Sequence, residues 1–289
     1  MAVRTAAALA LAFALFAPEA SSFQSGEGVG WVESWDQAVE EAEYRNVPIF
    51  ITVQQDNNPG CTAMEGAFRD GSFIKAIQRC VPLVANGEIG HGTKDVKIGG
   101  TKVAMCRIYD GIKCDHHSAC NVVTGMFFKG EFGLPSQIWV KFDAKSETRV
   151  KELFRVTASQ GEPQSAGELL KDMERALGNI VGKSLSRKEY LDGKKLIQLG
   201  NEHFAKNEFK KSIDAFKKLK ESKSERFAKQ GENALTELQM AGKTMVENAV
   251  AASPTDPKGA KEILNKVIKE FDATWECVKM AKEQLAKIK

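Results

Sequence analysis

Cysteine is too scarce in this chain, six in 289 residues, to build a small disulfide scaffold, and no two of the six are spaced CxxC. That spacing would mark a dithiol redox pair, and with a following histidine a covalent haem attachment, so neither motif is present. HxxxH is also missing. Beyond residue 22 no apolar run is long enough to cross a bilayer, and few aromatic residues interleave with the lysines of the C-terminal half, so no base-stacking platform is visible. With 43% apolar and 27% charged side chains, the composition excludes collagen-like and broadly disordered chains.

What is present is unevenly placed. Five of the cysteines lie between Cys61 and Cys120. Residues 23–182 carry 17 basic and 21 acidic side chains, while 183–289 carry 23 basic and 16 acidic, so the net charge of +3 conceals two different halves. Met1 to Arg4 supply a short positive start, Thr5 to Ala17 an uncharged apolar run, and Ala20-Ser21-Ser22 small residues ahead of Phe23. This is the layout of a signal peptide over residues 1–22, and it predicts a secreted or periplasmic protein whose mature chain has no transmembrane segment. No cysteine follows the run, so nothing points to a lipid anchor.

The spacing of apolar residues predicts a helix over 33–45, ended by Asn46-Val47-Pro48, and a buried strand over 48–53. A helical pattern then runs from Cys61 through Met64, Phe68, Phe73, Ile74 and Ile77 to a second strand at Val81–Val84. Residues 87–111 are rich in Gly, Lys and short polar side chains and read as an irregular insertion, with a strand only at 103–109. Strands at 137–142 and 149–156 form a hairpin about Asp143-Ala144-Lys145-Ser146, and a helix over 165–181 closes an α/β layer. After Gly182 there are only lysine- and glutamate-rich amphipathic segments. Two of them carry large and small residues at helix-turn-helix spacing: Leu196, Leu199, Gly200, Phe204, Ser212, Phe216 and Leu219, then Gly259, Ala260, Ile263, Leu264, Ile268, Phe271, Trp275, Ala281 and Leu285. This half resembles tetratricopeptide repeats, with an unrelated small bundle as the alternative, and Phe204, Phe216 and Phe271 are its expected core.

The stretch Asn58-Pro59-Gly60-Cys61-Thr62-Ala63-Met64-Glu65 between a strand and a helix, with Phe68, Asp70, Phe73-Ile74 and the later Gly133-Leu134-Pro135-Ser136 before a strand, resembles a secreted thioredoxin-like domain. The resemblance covers roughly residues 31–156. It implies an α/β thioredoxin-like fold, a mixed sheet flanked by helices, for 23–182 with a Cys/His insertion near 87–128, followed by the all-α module of 183–289. It also implies a cis proline at Pro135 and a redox cysteine at Cys61. Asn58, however, stands where that family's attacking cysteine belongs, and an amide carries no nucleophilic sulfur. A single thiol forms mixed disulfides but does not complete a dithiol cycle.

Cys106, Cys114, His116, His117 and Cys120 place three thiols and two imidazoles within 15 positions. A Cys114–Cys120 disulfide stapling the insertion is the simpler reading in an oxidising compartment; soft and borderline ligands of this kind also suit zinc or copper. Cys80 and Cys277 read as packing thiols, and His91 and His203 receive no role. The reading that follows is an exported thioredoxin-fold protein with a degraded dithiol site, binding a protein partner through its helical module, with no cofactor expected and no nucleic acid. The alternatives are a thiol-disulfide oxidoreductase using Cys61 and a zinc or copper protein using the Cys106–Cys120 cluster.

Overall fold

Ser34 accepts a hydrogen bond from Gln37 N and starts α1 (Trp35–Arg45), which Asn46 ends in the left-handed conformation. In the computed structural model residues 28–98, 100–130, 132–157 and 163–288 are described. The leader expected over 1–22 lies outside them. Next come β1 (Ile49–Val53), α2 (Pro59–Phe68), α3 (Gly71–Ile77) and β2 (Val81–Ala85). The continuous helix expected from Cys61 to Ile77 is broken. Asp70 caps a new helix by accepting from Ser72 N and Phe73 N, and Gly71 opens it.

The insertion contains more regular structure than its composition suggested: a hairpin of β3 (Thr93–Ile98) and β4 (Thr101–Cys106), then two single-turn helices, α4 (Cys114–Ala119) and α5 (Val122–Phe127). After it come β5 (Ser136–Phe142), β6 (Val150–Thr157) and α6 (Ala166–Leu177), the last opened by a capping box of Ser165 and Glu168. The main sheet has the order β2-β1-β5-β6, with β1 parallel to β2 and antiparallel to β5. It is a mixed four-stranded sheet with helices on both faces.

Alternation along the strands divides the core in two. Phe50 and Trp139 face a layer with Trp31, Met64, Phe68, Phe73, Leu169 and Met173, while Ile49, Ile51 and Val140 face Ala38, Val39, Ala42, Val123 and Phe128. Cys106 belongs to the first layer, with Cys114 packed against it, and Cys120 to the second.

The chain divides into two units at Tyr190/Leu191, a little later than the compositional change at Gly182. The extra residues stay with the first unit because they bond to it. Leu185 N donates to Arg45 O at 2.8 Å, Arg187 Nη1 to Gly30 O at 2.8 Å, and the Tyr190 ring lies 5.9 Å from that of Tyr44.

The second unit is all helix, formed by most of α7 (Arg187–Ala205) with α8 (Phe209–Lys220), α9 (Glu225–Ala252), α10 (Pro257–Glu270) and α11 (Glu276–Lys287). Phe216 and Phe271 are buried as expected for core, whereas Phe204 is only half-buried, and Phe209 takes the inner place by stacking on Phe271 at 4.8 Å. Among the described residues no helix is long and apolar enough to cross a membrane.

Where α8 and α9 meet, glycine is required. A methyl at Gly231 would stand 2.6 Å from Lys220 N and 2.8 Å from Phe216 O, backbone atoms that cannot swing aside. Alanine is the better helix former by about 1 kcal/mol, but overpacking of this kind costs about 1–3 kcal/mol. Gly231→Ala is therefore expected to lower stability in urea denaturation of the full chain by up to about 2 kcal/mol. A raised midpoint would show that the two helices separate freely.

Candidate metal centre

The loop between β1 and α2 brings together the residues that the thioredoxin resemblance singles out. Asn58 is the N-cap of α2, accepting from Cys61 N at 3.1 Å, and Pro59 fills the first helical position, where a missing N–H costs nothing. Asn58 thus has a structural reason to be where it is. Cys61 is 4% exposed, and its sulfur accepts from Gln55 N at 3.4 Å. Burial pushes its pKa up; the hydrogen bond from Gln55 opposes this without overcoming it. The Leu134–Pro135 peptide is cis, at the entrance to β5.

A second constellation lies beside this loop. His91 Nε2 is 3.1 Å from Cys106 Sγ and 3.6 Å from Cys114 Sγ, and with His117 these residues place four donor atoms within 4.8 Å of one another. The four come from three parts of the chain: the loop before β3, the end of β4 and the start of α4. Gly92, at φ +86°, turns the chain between His91 and β3, a conformation that suits glycine. Cys106 ends β4, Cys114 opens α4 and His117 lies one turn along it. The pairing Thr93↔Cys106 brings His91, two residues before the hairpin, back to the Cys106 end.

Both imidazoles are oriented from behind. His91 Nδ1 donates to Asp56 Oδ2 at 2.8 Å, and His117 Nδ1 donates to Asn86 O at 2.9 Å, which leaves the Nε2 lone pair of each ring for the cluster. Asp56 is itself held by Asn86 Nδ2 at 2.9 Å. Burial raises the pKa of this carboxyl, but the hydrogen bonds from Asn86 and His91 outweigh burial and hold it below the usual carboxylate value. The two rings stack at 5.0 Å, and burial lowers the pKa of His117, which favours the neutral ring. Cys106 Sγ accepts from Tyr109 N at 3.3 Å, and burial pushes its thiol up to about 11.

His117 Nε2 is buried without a hydrogen-bond partner, a costly arrangement for a polar atom unless something completes it. A divalent ion would do so. Zinc bonds of about 2.3 Å to sulfur and 2.0–2.1 Å to nitrogen put tetrahedral ligand atoms about 3.3–3.8 Å apart, close to the spacings already present. Two thiols, two imidazoles and their supporting hydrogen bonds could thus hold a metal, and the donor set suits zinc.

The remaining sequence candidates fall elsewhere. His116, about 100° around the helix from His117, has Nδ1 4.0 Å from Glu33 Oε1. Cys120 Sγ faces Glu33 O at 3.8 Å in the other core layer. The expected Cys114–Cys120 bridge is not formed, and all six cysteines are free. Its geometry is unfavourable: six residues of helix rise about 9 Å, against a Cα limit near 7 Å for a disulfide. Cys80 and Cys277 are buried packing thiols, and His203 bonds Glu208 at 2.6 Å. The residue that sequence reasoning missed is His91. Its signal was available, since Thr93 to Ile98 and Thr101 to Cys106 flank Gly99-Gly100 as a hairpin would.

No protein-family model matches the chain, and no curated protein matches it. The geometry of Cys61 generates a direct expectation. In the folded protein at pH 8, iodoacetamide should modify Cys61 at least about tenfold more slowly than a free model thiol, and unfolding in urea should abolish the difference. Equal rates in the folded state would mean that the N-terminus of α2 activates the thiol after all.

Proposed function

We propose that the first unit is a thioredoxin-like domain whose insertion is held by a structural zinc centre, with His91, Cys106, Cys114 and His117 as ligands. One observation carries this reading: four donor atoms from three segments of the chain converge within 4.8 Å while each imidazole Nδ1 is already occupied. Four protein ligands leave no open position for a reacting water, which is the arrangement of a structural and not a catalytic zinc. The thioredoxin-like assignment is supported by the parallel β1-α2-α3-β2 unit followed by the β5–β6 hairpin and α6, with Cys61 at the first helix and Pro135 before β5.

The centre also has a clear structural task. The β3–β4 hairpin is largely exposed, and its apolar side chains are too few to anchor it. The metal would join that hairpin to α4, and through Asp56 to the loop before α2. Cys61, buried and facing an asparagine cap, lacks the partner thiol of a dithiol cycle, so binding is favoured over thiol-disulfide catalysis. The proposed protein is exported, and its helical unit is the half that meets a protein partner.

Full-length protein, purified without chelator and desalted, should contain one zinc per chain by mass spectrometry of the metal. His91→Ala and Cys106→Ser should each lower that content at least about tenfold, while His116→Ala and Cys120→Ala should leave it unchanged. Asp56→Ala should retain the stoichiometry but weaken zinc affinity about 10–100-fold in a competition titration. Equal losses in the His91 and His116 variants would refute the ligand set.

A further inference from the structure

Four of the six cysteines, Cys61, Cys80, Cys120 and Cys277, are deeply buried and lie outside the cluster. Within it Cys106 is buried, but Cys114 is only half-buried, which makes it the cysteine that a dissolved reagent meets first. Behind it stands Cys106. The two sulfurs lie within 4.8 Å, and Cys106 N donates to Ile112 O at 2.7 Å, folding the intervening loop so that the chain returns beside Cys106 two residues before Cys114. A loop already closed by hydrogen bonds needs little further ordering for its cysteines to join.

We infer that Cys106 and Cys114 form a redox-modification site, at which a small-molecule disulfide such as oxidised glutathione converts the two metal-bound thiolates into a disulfide and expels the zinc. The inference rests on the zinc centre proposed above and adds a reaction to it.

The step balances as two thiol-disulfide exchanges. The Cys114 thiolate attacks one sulfur of the reagent, whose S–S bond breaks and releases one glutathione thiolate. The Cys106 thiolate then attacks the Cys114 sulfur of the mixed disulfide, forming the Cys106–Cys114 bond and releasing the second glutathione thiolate. Two electrons pass from the protein sulfurs to the reagent, and the two departing thiolates take protons from water. Zinc loses two of its four ligands and leaves as the hydrated ion. His91 and His117 remain oriented by Asp56 and Asn86, so a reducing agent can restore the site.

The test uses the full chain, with Cys120→Ala protein alongside it because Cys120 lies in the same tryptic peptide as Cys114. Zinc content is measured first. Oxidised glutathione is then added, released zinc is followed with a chromogenic chelator, released glutathione is quantified, and bridges are mapped by tandem mass spectrometry. The expected result is one zinc released for every two glutathione thiols, a Cys106–Cys114 bridge in both proteins, and rebinding of zinc after reduction. Zinc that stays bound while the reagent oxidises a free dithiol overturns the inference. So does zinc release without this bridge, or a bridge to another cysteine. Absence of zinc before the reagent is added overturns the centre itself, so the two failures are told apart.

Discussion

The hydrogen bond from His91 Nδ1 to Asp56 joins parts of the chain that would otherwise have little reason to meet. Asp56 sits in the loop that leads into α2, and His91 precedes the exposed β3–β4 hairpin. Asn86, at the end of β2, completes the arrangement by donating to Asp56 through its side chain and accepting from His117 through its carbonyl. Two histidines are thereby aimed at the sulfurs of Cys106 and Cys114 by groups that belong to the sheet and its loops. Buried polar groups are stable only when satisfied, and among the side chains of Asp56, Asn86, His91 and His117 the inward-facing His117 Nε2 is the one buried atom without a partner. That one vacancy in the hydrogen-bond network defines the chemistry of the site.

Much of the fold was legible in the sequence because its core elements have strong periodicity. The apolar runs at 48–53, 81–84 and 137–142 became β1, β2 and β5, and the stripe Leu169, Leu170, Met173 and Leu177 became α6. Errors fell where a local polar group overrode the pattern. Asp70 restarts the helix expected to continue from Cys61 because its carboxylate satisfies two N–H groups at once, a local bond that apolar spacing does not register. The site was only partly legible. Counting cysteines and histidines along the chain favoured neighbours in sequence, so His116 and Cys120 were grouped with Cys106, Cys114 and His117. Three-dimensional proximity follows the hairpin and the helical turn instead. Helical geometry rotates His116 away from His117, and the path from α4 into α5 carries Cys120 to the opposite face of the sheet, while the hairpin returns His91 to Cys106 from 15 residues upstream.

The same geometry separates the two kinds of thiol in the first unit. Cys61 lies at a helix N-terminus, a setting that ordinarily lowers a thiol pKa, yet burial prevails and its neighbour three residues upstream is an asparagine whose oxygen serves the backbone. Cys106 ends a strand and Cys114 opens only the six-residue α4, but they have each other and two imidazoles. In the proposed account the domain has kept the scaffold of a redox protein while its sulfur chemistry is centred on the insertion.

The central claim concerns which atoms surround the metal, and X-ray absorption at the zinc edge of the purified full chain reads this directly. The account predicts two sulfur scatterers at about 2.3 Å and two imidazole nitrogens at about 2.0–2.1 Å, with no oxygen in the first shell. A shell of three or four sulfurs, or a six-coordinate shell of oxygen and nitrogen, would contradict it.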